Sequence, residues 1–88
     1  MNLLTETEIA AVQAVLVEEL GVRPEKLTPE ARLDADLGAD SLTKVEIVMA
    51  LEDRLAVTLS DELTEKVESV EDVYDAVAFS LGGREPRD

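Results

Sequence analysis

The sequence contains no cysteine and no histidine, and these two absences exclude several kinds of chemistry. Without cysteine the chain has no disulfide bond and no thiolate metal site, so a small domain must hold together by packing alone. Without histidine it has no imidazole general base, no Ser-His dyad and no zinc site of the ordinary kind. We therefore expect a protein that is not an enzyme, with no catalytic residue and no metal site.

Aromatic and basic residues are also scarce. Aromatics make up 2% of the 88 residues while all hydrophobic residues make up 45%, so the core must be aliphatic, which suits helices. The 8 basic residues face 21 acidic ones, and the formal charge is −13. This charge would repel nucleic acid and anionic lipid and attract proteins with basic patches, or it serves only to keep a small protein dissolved.

Long apolar runs are missing as well. No run approaches the ~20 residues of a membrane span, and the N-terminus lacks the basic start and apolar centre of a signal peptide. We expect a cytoplasmic monomer with no membrane contact.

Capping signals predict two helices in the first 55 residues. Thr5 and Glu8 form a capping-box pattern, and the helix that follows them ends at Gly21. A second helix begins around Asp40 or Ser41, either of which is a good N-cap, and continues to residue 55 without glycine or proline. This second helix is the strongest in the sequence.

Two further helices follow in the second half of the chain. A short one is predicted from Asp61 to about Lys66. Ser69 with Asp72 resembles a capping box at the start of a last helix, which a pair of glycines at 82–83 ends. The sequence thus predicts an all-α four-helix bundle over residues 1–83, with three longer helices and a short one.

The segments outside the helices differ in their expected order. The connection 22–40 is long for a compact domain, and such loops are usually functional or tied down. Thr28-Pro29 is predicted to begin a single helical turn within it. The apolar residues that would anchor this loop over the core are Leu27, Leu33 and Leu37. The charged tail 84–88 lacks such anchors and is expected to be disordered.

The second helix has more apolar surface than a core requires. Its apolar residues cover an arc of roughly 280°, whereas a surface helix of a small bundle needs a stripe a little over ~100° wide. The core side holds Ile47, Val48, Leu51 and Leu55; the surplus, which we name the apolar strip, holds Leu42, Val45 and Met49. Acidic residues border the strip: Glu46, Glu52 and Asp53. The strip is either a docking surface for a basic, partly apolar partner or part of a helix that is buried on most sides.

Ser41 is the candidate site residue. A calcium-binding EF-hand loop starting at Asp34 would need glycine and glutamate where the chain has Ala39 and Val45. A phosphate-cradling loop would need more glycines and a Lys-Ser or Lys-Thr pair, and a nucleophilic serine would need a base. What remains is a hydroxyl at a helix start, where an attached phosphate would be stabilised. A plain helix cap has the same signature.

Residues 36–42, Asp-Leu-Gly-Ala-Asp-Ser-Leu, followed at 45–53 by Val-Glu-Ile-Val-Met-Ala-Leu-Glu-Asp, resemble the modification site and second helix of acyl carrier proteins. The similarity is to the discrete carriers of dissociated fatty-acid and polyketide synthases, and weaker similarity extends over most of the chain. The family fold is a bundle of three long helices and one short one. Its serine, here Ser41, carries 4′-phosphopantetheine that a separate transferase installs from coenzyme A.

The resemblance also implies roles for the neighbouring residues. Asp40 would support the modification reaction through the metal of the transferase. The residues that would face acyl-transferring, condensing and reducing enzymes are Leu42, Val45, Glu46, Met49 and Glu52, with Asp53 at the border of the same surface. The missing cysteine fits this interpretation, because the thiol of a phosphopantetheine arm would form the thioester with an acyl intermediate.

Some positions depart from the family pattern and leave the pathway open. Thr43-Lys44 stands where many fatty-acid carriers have an acid and a small polar residue, which would place a positive charge in the docking region. Leu55 and Ser60 replace a frequent phenylalanine and proline. The alternatives are an unmodified acidic interaction module and a carrier for aminoacyl or cell-envelope building blocks, although peptidyl carriers more often have Gly-Gly where this chain has Gly38-Ala39.

Overall fold

The computed structural model describes residues 4–82, and this part of the chain is helical. Its four helices are α1 (Glu6–Leu20), α2 (Ser41–Leu55), α3 (Asp61–Glu65) and α4 (Val70–Gly82), with a 3₁₀ turn at Pro24–Lys26. The predicted all-α bundle of three longer helices and a short one is confirmed. The predicted tail 84–88 and the second glycine of the pair at 82–83 lie outside the described residues.

The helix ends follow the predicted caps. At the start of α1 the Thr5 hydroxyl accepts from the Glu8 N–H, and the Glu8 carboxylate accepts from the Thr5 N–H at 2.9 Å. Gly21 ends the helix with a φ of 68°, in the left-handed region that glycine adopts without strain. Ser69 and Asp72 form the same reciprocal pair of hydrogen bonds before α4.

The long loop between α1 and α2 is tied to the core, as its leucines predicted. The three anchors are almost fully buried: Leu27 at 7% exposure, Leu33 at 2% and Leu37 at 7%. Backbone hydrogen bonds also attach the loop to the segment that enters α4, because the Leu33 N–H donates to the Glu68 carbonyl and the Val70 N–H to the Ala31 carbonyl. The loop therefore holds the chain in a fixed position where α2 begins.

The single turn predicted to begin at Thr28-Pro29 is present as an isolated turn and does not form part of a helix. The Ala31 N–H donates to the Thr28 carbonyl in a β-turn, and the 3₁₀ turn lies earlier, with Pro24 at its first position. The turn does not continue as a helix, because the Glu71 N–H donates to the Pro29 carbonyl at 3.0 Å, an acceptor that a continuing helix would use.

The core is aliphatic and is built by α1, α2, α4 and the long loop. Its most buried side chains are Leu16, Leu33, Leu51, Val12, Val15, Val70 and Val77. No residue of α3 is fully buried, although Leu63 and Thr64 are half-buried. The short helix thus covers one side of the bundle without contributing to its centre.

Candidate functional site

Ser41 lies at the point where the anchored loop ends and the exposed start of α2 begins. Leu37 and Ala39 are 7% and 6% exposed, and the Ala39 N–H donates to the Leu33 carbonyl at 2.7 Å. Gly38 between them has a φ of 78°, which lets the chain turn, and no atom lies within 4 Å of the place a Cβ would take. Ser41 follows as the first residue of α2 and is exposed. Its hydroxyl makes no hydrogen bond within residues 4–82.

Asp40, and not Ser41, is the N-cap of α2. One carboxylate oxygen, Oδ1, accepts from both the Thr43 N–H and the Thr43 hydroxyl at 2.8 Å. The hydrogen bond from the Thr43 N–H, followed by that from the hydroxyl, holds the pKa of Asp40 below its ordinary value of 3.8. The carboxylate is therefore ionised at neutral pH, and the neighbouring Ser41 hydroxyl is left out of the cap.

The apolar strip is exposed along its whole length. Leu42 is 65% exposed, Val45 51% and Met49 62%, whereas Ile47 on the core side is 2% exposed. The alternative of a helix buried on most sides is thus wrong, because α3 and α4 leave this side of α2 open. Elsewhere in residues 4–82, Phe79 on α4 is the one other large hydrophobic side chain with comparable exposure, 65%.

The acidic border of the strip is not uniform. Glu46 and Asp53 are exposed. Glu52, which the resemblance places among the residues that would face partner enzymes, is half-buried, and its Oε2 accepts from the Leu59 N–H at 2.8 Å. Glu52 therefore fixes the connection between α2 and α3, a contact that the helix pattern could not show because the chain path after residue 55 was unknown.

The position of the Lys44 ammonium also differs from the one predicted. Its ammonium does not extend over the docking region but donates from Nζ to the Val67 carbonyl at 2.8 Å, in a partly buried position between α2 and the segment after α3. The sequence reasoning missed this contact. The available signal was spacing, since Lys44 stands three residues before the buried Ile47 and so shares its side of the helix.

A small aliphatic cavity lies beside Lys44. It measures about 20 Å³, room for about one water molecule, and opens partly to the surface. Its lining comes from α2, α3, α4 and the connecting segments: Leu33, Lys44, Ile47, Val48, Leu51, Leu59, Thr64, Val67, Val73 and Ala76. We refer to it as the aliphatic cavity.

The carboxylates of Asp34 and Asp36, which precede Ser41, form hydrogen bonds within the long loop. Asp36 Oδ2 accepts from the Arg32 N–H at 2.8 Å, and Asp34 accepts from the Ala35 N–H and lies 3.8 Å from the Arg32 guanidinium. Across residues 4–82 no group of three or more acidic side chains is arranged to hold a metal ion. In the same part of the chain, the helices fall short of the length and apolar character needed to cross a membrane.

Two comparisons with known proteins bear on this site. Residues 10–77 match the family described as "Phosphopantetheine attachment site". The chain is also 47% identical over 66 residues to an acyl carrier protein of Thermosynechococcus vestitus, an alignment that covers 75% of this chain and 82% of that protein. The family match at residues 10–77 includes the long loop, α2 and the exposed serine at the start of α2.

Proposed function

Because the chain belongs to the acyl carrier proteins, whose covalently attached group is 4′-phosphopantetheine, we propose that Ser41 is the attachment residue. The proposed function is to carry acyl intermediates as thioesters in fatty-acid or polyketide-type biosynthesis. Members of this family are carriers and not catalysts. The thiol of the arm supplies thioester chemistry that the side chains of this cysteine-free sequence do not.

The observation that carries the proposal is the exposed hydroxyl of Ser41 at the N-terminus of α2. A phosphodiester on this oxygen would lie beside the positive end of the helix dipole, which stabilises anions. The loop that ends at Ala39 is anchored, so the hydroxyl has a fixed position for a transferase. The ionised Asp40 next to it is proposed to support the modification through the metal of the transferase.

The aliphatic cavity is the proposed shelter for part of the acyl group. Its present volume of about 20 Å³ holds no more than about one small group, so a longer chain requires the surrounding helices to separate. Because α3 places no fully buried residue in the core, moving it away from α2 disrupts fewer contacts than moving a longer helix.

The apolar strip and its acidic border are the proposed docking surface for partner enzymes. Leu42, Val45 and Met49 supply exposed apolar area, and Glu46 and Asp53 supply negative charge. Glu52 is proposed to contribute with the exposed part of its carboxylate. The expected partners are a phosphopantetheinyl transferase and acyl-transferring, condensing and reducing enzymes with basic patches. The carrier is proposed to act as a monomer.

The test is enzymatic loading followed by intact-mass measurement. The purified chain is incubated with coenzyme A, magnesium and a broad-specificity phosphopantetheinyl transferase. We expect the mass to increase by one arm in the wild type and not at all in Ser41→Ala. Ser60→Ala is the matched control, because Ser60 is an exposed serine at the start of α3, and this variant should load normally.

Either of two outcomes would overturn the assignment. An arm that still adds to Ser41→Ala would place the attachment elsewhere. A wild-type chain that stays folded and gains no arm would favour the unmodified acidic interaction module instead.

A further inference from the structure

Lys44 occupies the side of α2 that leads from Ser41 to the aliphatic cavity. Ser41, Lys44 and the other α2 residues that line the cavity share a sector about 120° wide at 100° per residue. Lys44 is also the lining residue of α2 closest to Ser41, about 4.5 Å further along the helix axis. A cargo that enters from the Ser41 side therefore passes Lys44 first.

Lys44 is the one charged residue that lines the cavity. The other polar side chain there, Thr64, is already engaged, because its hydroxyl donates to the Ser60 carbonyl at 2.9 Å within α3. The Lys44 ammonium has three N–H donors, and within residues 4–82 it donates to one acceptor, the Val67 carbonyl. Lys44 can thus offer hydrogen bonds to a cargo, and no other side chain of the lining can do so equally well.

The position of Lys44 is energetically unfavourable for a positive charge. Lys44 lies in the first turn and a half of α2, where the helix dipole disfavours positive charge, and its half-buried stem lies against aliphatic side chains. A saturated acyl chain, which has no oxygen atom beyond the thioester carbonyl, would separate the ammonium from the Val67 carbonyl when it pushes between α2 and Val67, and its alkyl part would supply no replacement acceptor. A cargo with a carbonyl near the thioester would supply a new acceptor at the same place.

We propose that Lys44 is a specificity-determining residue that favours oxygenated cargo, namely acyl chains with a carbonyl at the β-carbon, over saturated chains. This inference rests on the proposed function. As the cargo enters, the ammonium exchanges the Val67 carbonyl for the β-carbonyl oxygen, while the distal alkyl part contacts Ile47, Val48 and Leu51. No covalent step is involved.

The experiment compares two loaded forms of the protein. A broad-specificity transferase attaches the arm from octanoyl-coenzyme A or from 3-oxooctanoyl-coenzyme A, and the rate of thioester cleavage by hydroxylamine is measured. Each rate is divided by that of the matching free pantetheine thioester, which removes the difference in intrinsic reactivity. We expect the wild type to protect the 3-oxooctanoyl group about three- to tenfold better than the octanoyl group, as one hydrogen bond would provide.

Variants separate the role of Lys44 from a general charge effect. Lys44→Met keeps the length of the stem and removes the ammonium, and it should abolish the preference for the 3-oxo cargo. Lys66→Met removes the same charge from an exposed position at the end of α3 and should keep the preference. An equal preference in Lys44→Met and the wild type would overturn the inference.

A measurement on the wild type covers the case in which Lys44→Met fails to fold. The ¹³C shift of the Val67 carbonyl should change on loading with 3-oxooctanoyl, because the ammonium leaves it, and an unchanged shift would also overturn the inference. The proposed function fails in a different way. If neither cargo is attached to Ser41, the carrier assignment is wrong; if both are attached and protected equally, only the role of Lys44 is wrong.

Discussion

The two sides of α2 are made of similar residues but differ in burial. Leu51 and Met49 are two positions apart and of similar size, yet Leu51 is 2% exposed and Met49 is 62% exposed. The core side packs against the rest of the bundle, whereas the three side chains of the apolar strip are between 51% and 65% exposed. Exposed apolar area of this kind does not stabilise the monomer, so the strip is available for transient contact with other proteins.

The largest expected effect on stability lies on the core side. Leu51→Ala should lower the free energy of unfolding by about 2 to 5 kcal/mol, because it removes buried methyl groups and leaves a cavity. Met49→Ala on the apolar strip should change it by less than about 0.5 kcal/mol. Urea unfolding of the two unmodified variants gives both values. Equal losses would mean that the two sides of α2 are not as different in solution as they are in this structure.

A smaller effect distinguishes two acidic residues of the same helix. Glu52→Ala removes the acceptor for the Leu59 N–H and should cost about 1 to 2 kcal/mol, since that donor is partly buried. Glu46→Ala should leave stability within about 0.5 kcal/mol of the wild type, because Glu46 is exposed. The measurement is again urea unfolding, and an unstable Glu46→Ala with a normal Glu52→Ala would reverse the assignment.

The same pair of residues should differ in the transfer assay. Glu46→Lys is expected to slow acyl transfer by a partner enzyme while the fold stays intact, because it reverses charge on the proposed docking surface. The wild-type rate should fall towards that of the variant as ionic strength rises to about 1 M, where screening acts within about 3 Å. A salt-independent rate would argue against docking by charge. Any loss of transfer in Glu52→Lys must first be corrected for its loss of stability.

Whether a feature of this structure can be predicted from the sequence depends on how far apart in the chain its interacting residues lie. The caps at Thr5, Gly21 and Ser69 were predictable because each involves residues within four positions of one another. The helical period predicted the apolar strip and left open whether it is exposed or buried, which the structure decided. Sequence similarity, and not the local pattern, distinguished Ser41 from an ordinary residue at the start of a helix.

The features that the sequence did not predict all involve distant partners. Lys44 reaches the Val67 carbonyl, 23 positions away, and Glu52 accepts from a backbone N–H in the next connection. The turn at Thr28-Pro29 does not continue as a helix because the Pro29 carbonyl accepts from the Glu71 N–H of α4. Local spacing shows which side of α2 Lys44 occupies, but the path of the chain through the bundle decides which carbonyl lies there.

The smallest expected effect tests the cap beside Ser41 through its pH dependence. Hydrogen bonds from Thr43 lower the pKa of Asp40, so the ionised carboxylate stabilises the folded state. This contribution is complete above 3.8, the ordinary pKa of the group, and is lost as the pH falls through the lower pKa of the folded state. The melting temperature of the wild type should therefore exceed that of Asp40→Asn at neutral pH, and the difference should shrink below pH 3.8.

Asp53→Asn is the control for this comparison, because it removes an equal charge from an exposed position near the other end of α2, where no cap is lost. Net charge is strongly negative, so removing any carboxylate relieves some repulsion, and only the difference between the two variants reports on the cap. If that difference were the same on both sides of pH 3.8, ionisation of Asp40 would not stabilise α2. The start of the helix would then depend on the uncharged hydrogen bonds of the cap and on the anchored loop, and the position of Ser41 would be independent of the charge of its neighbour.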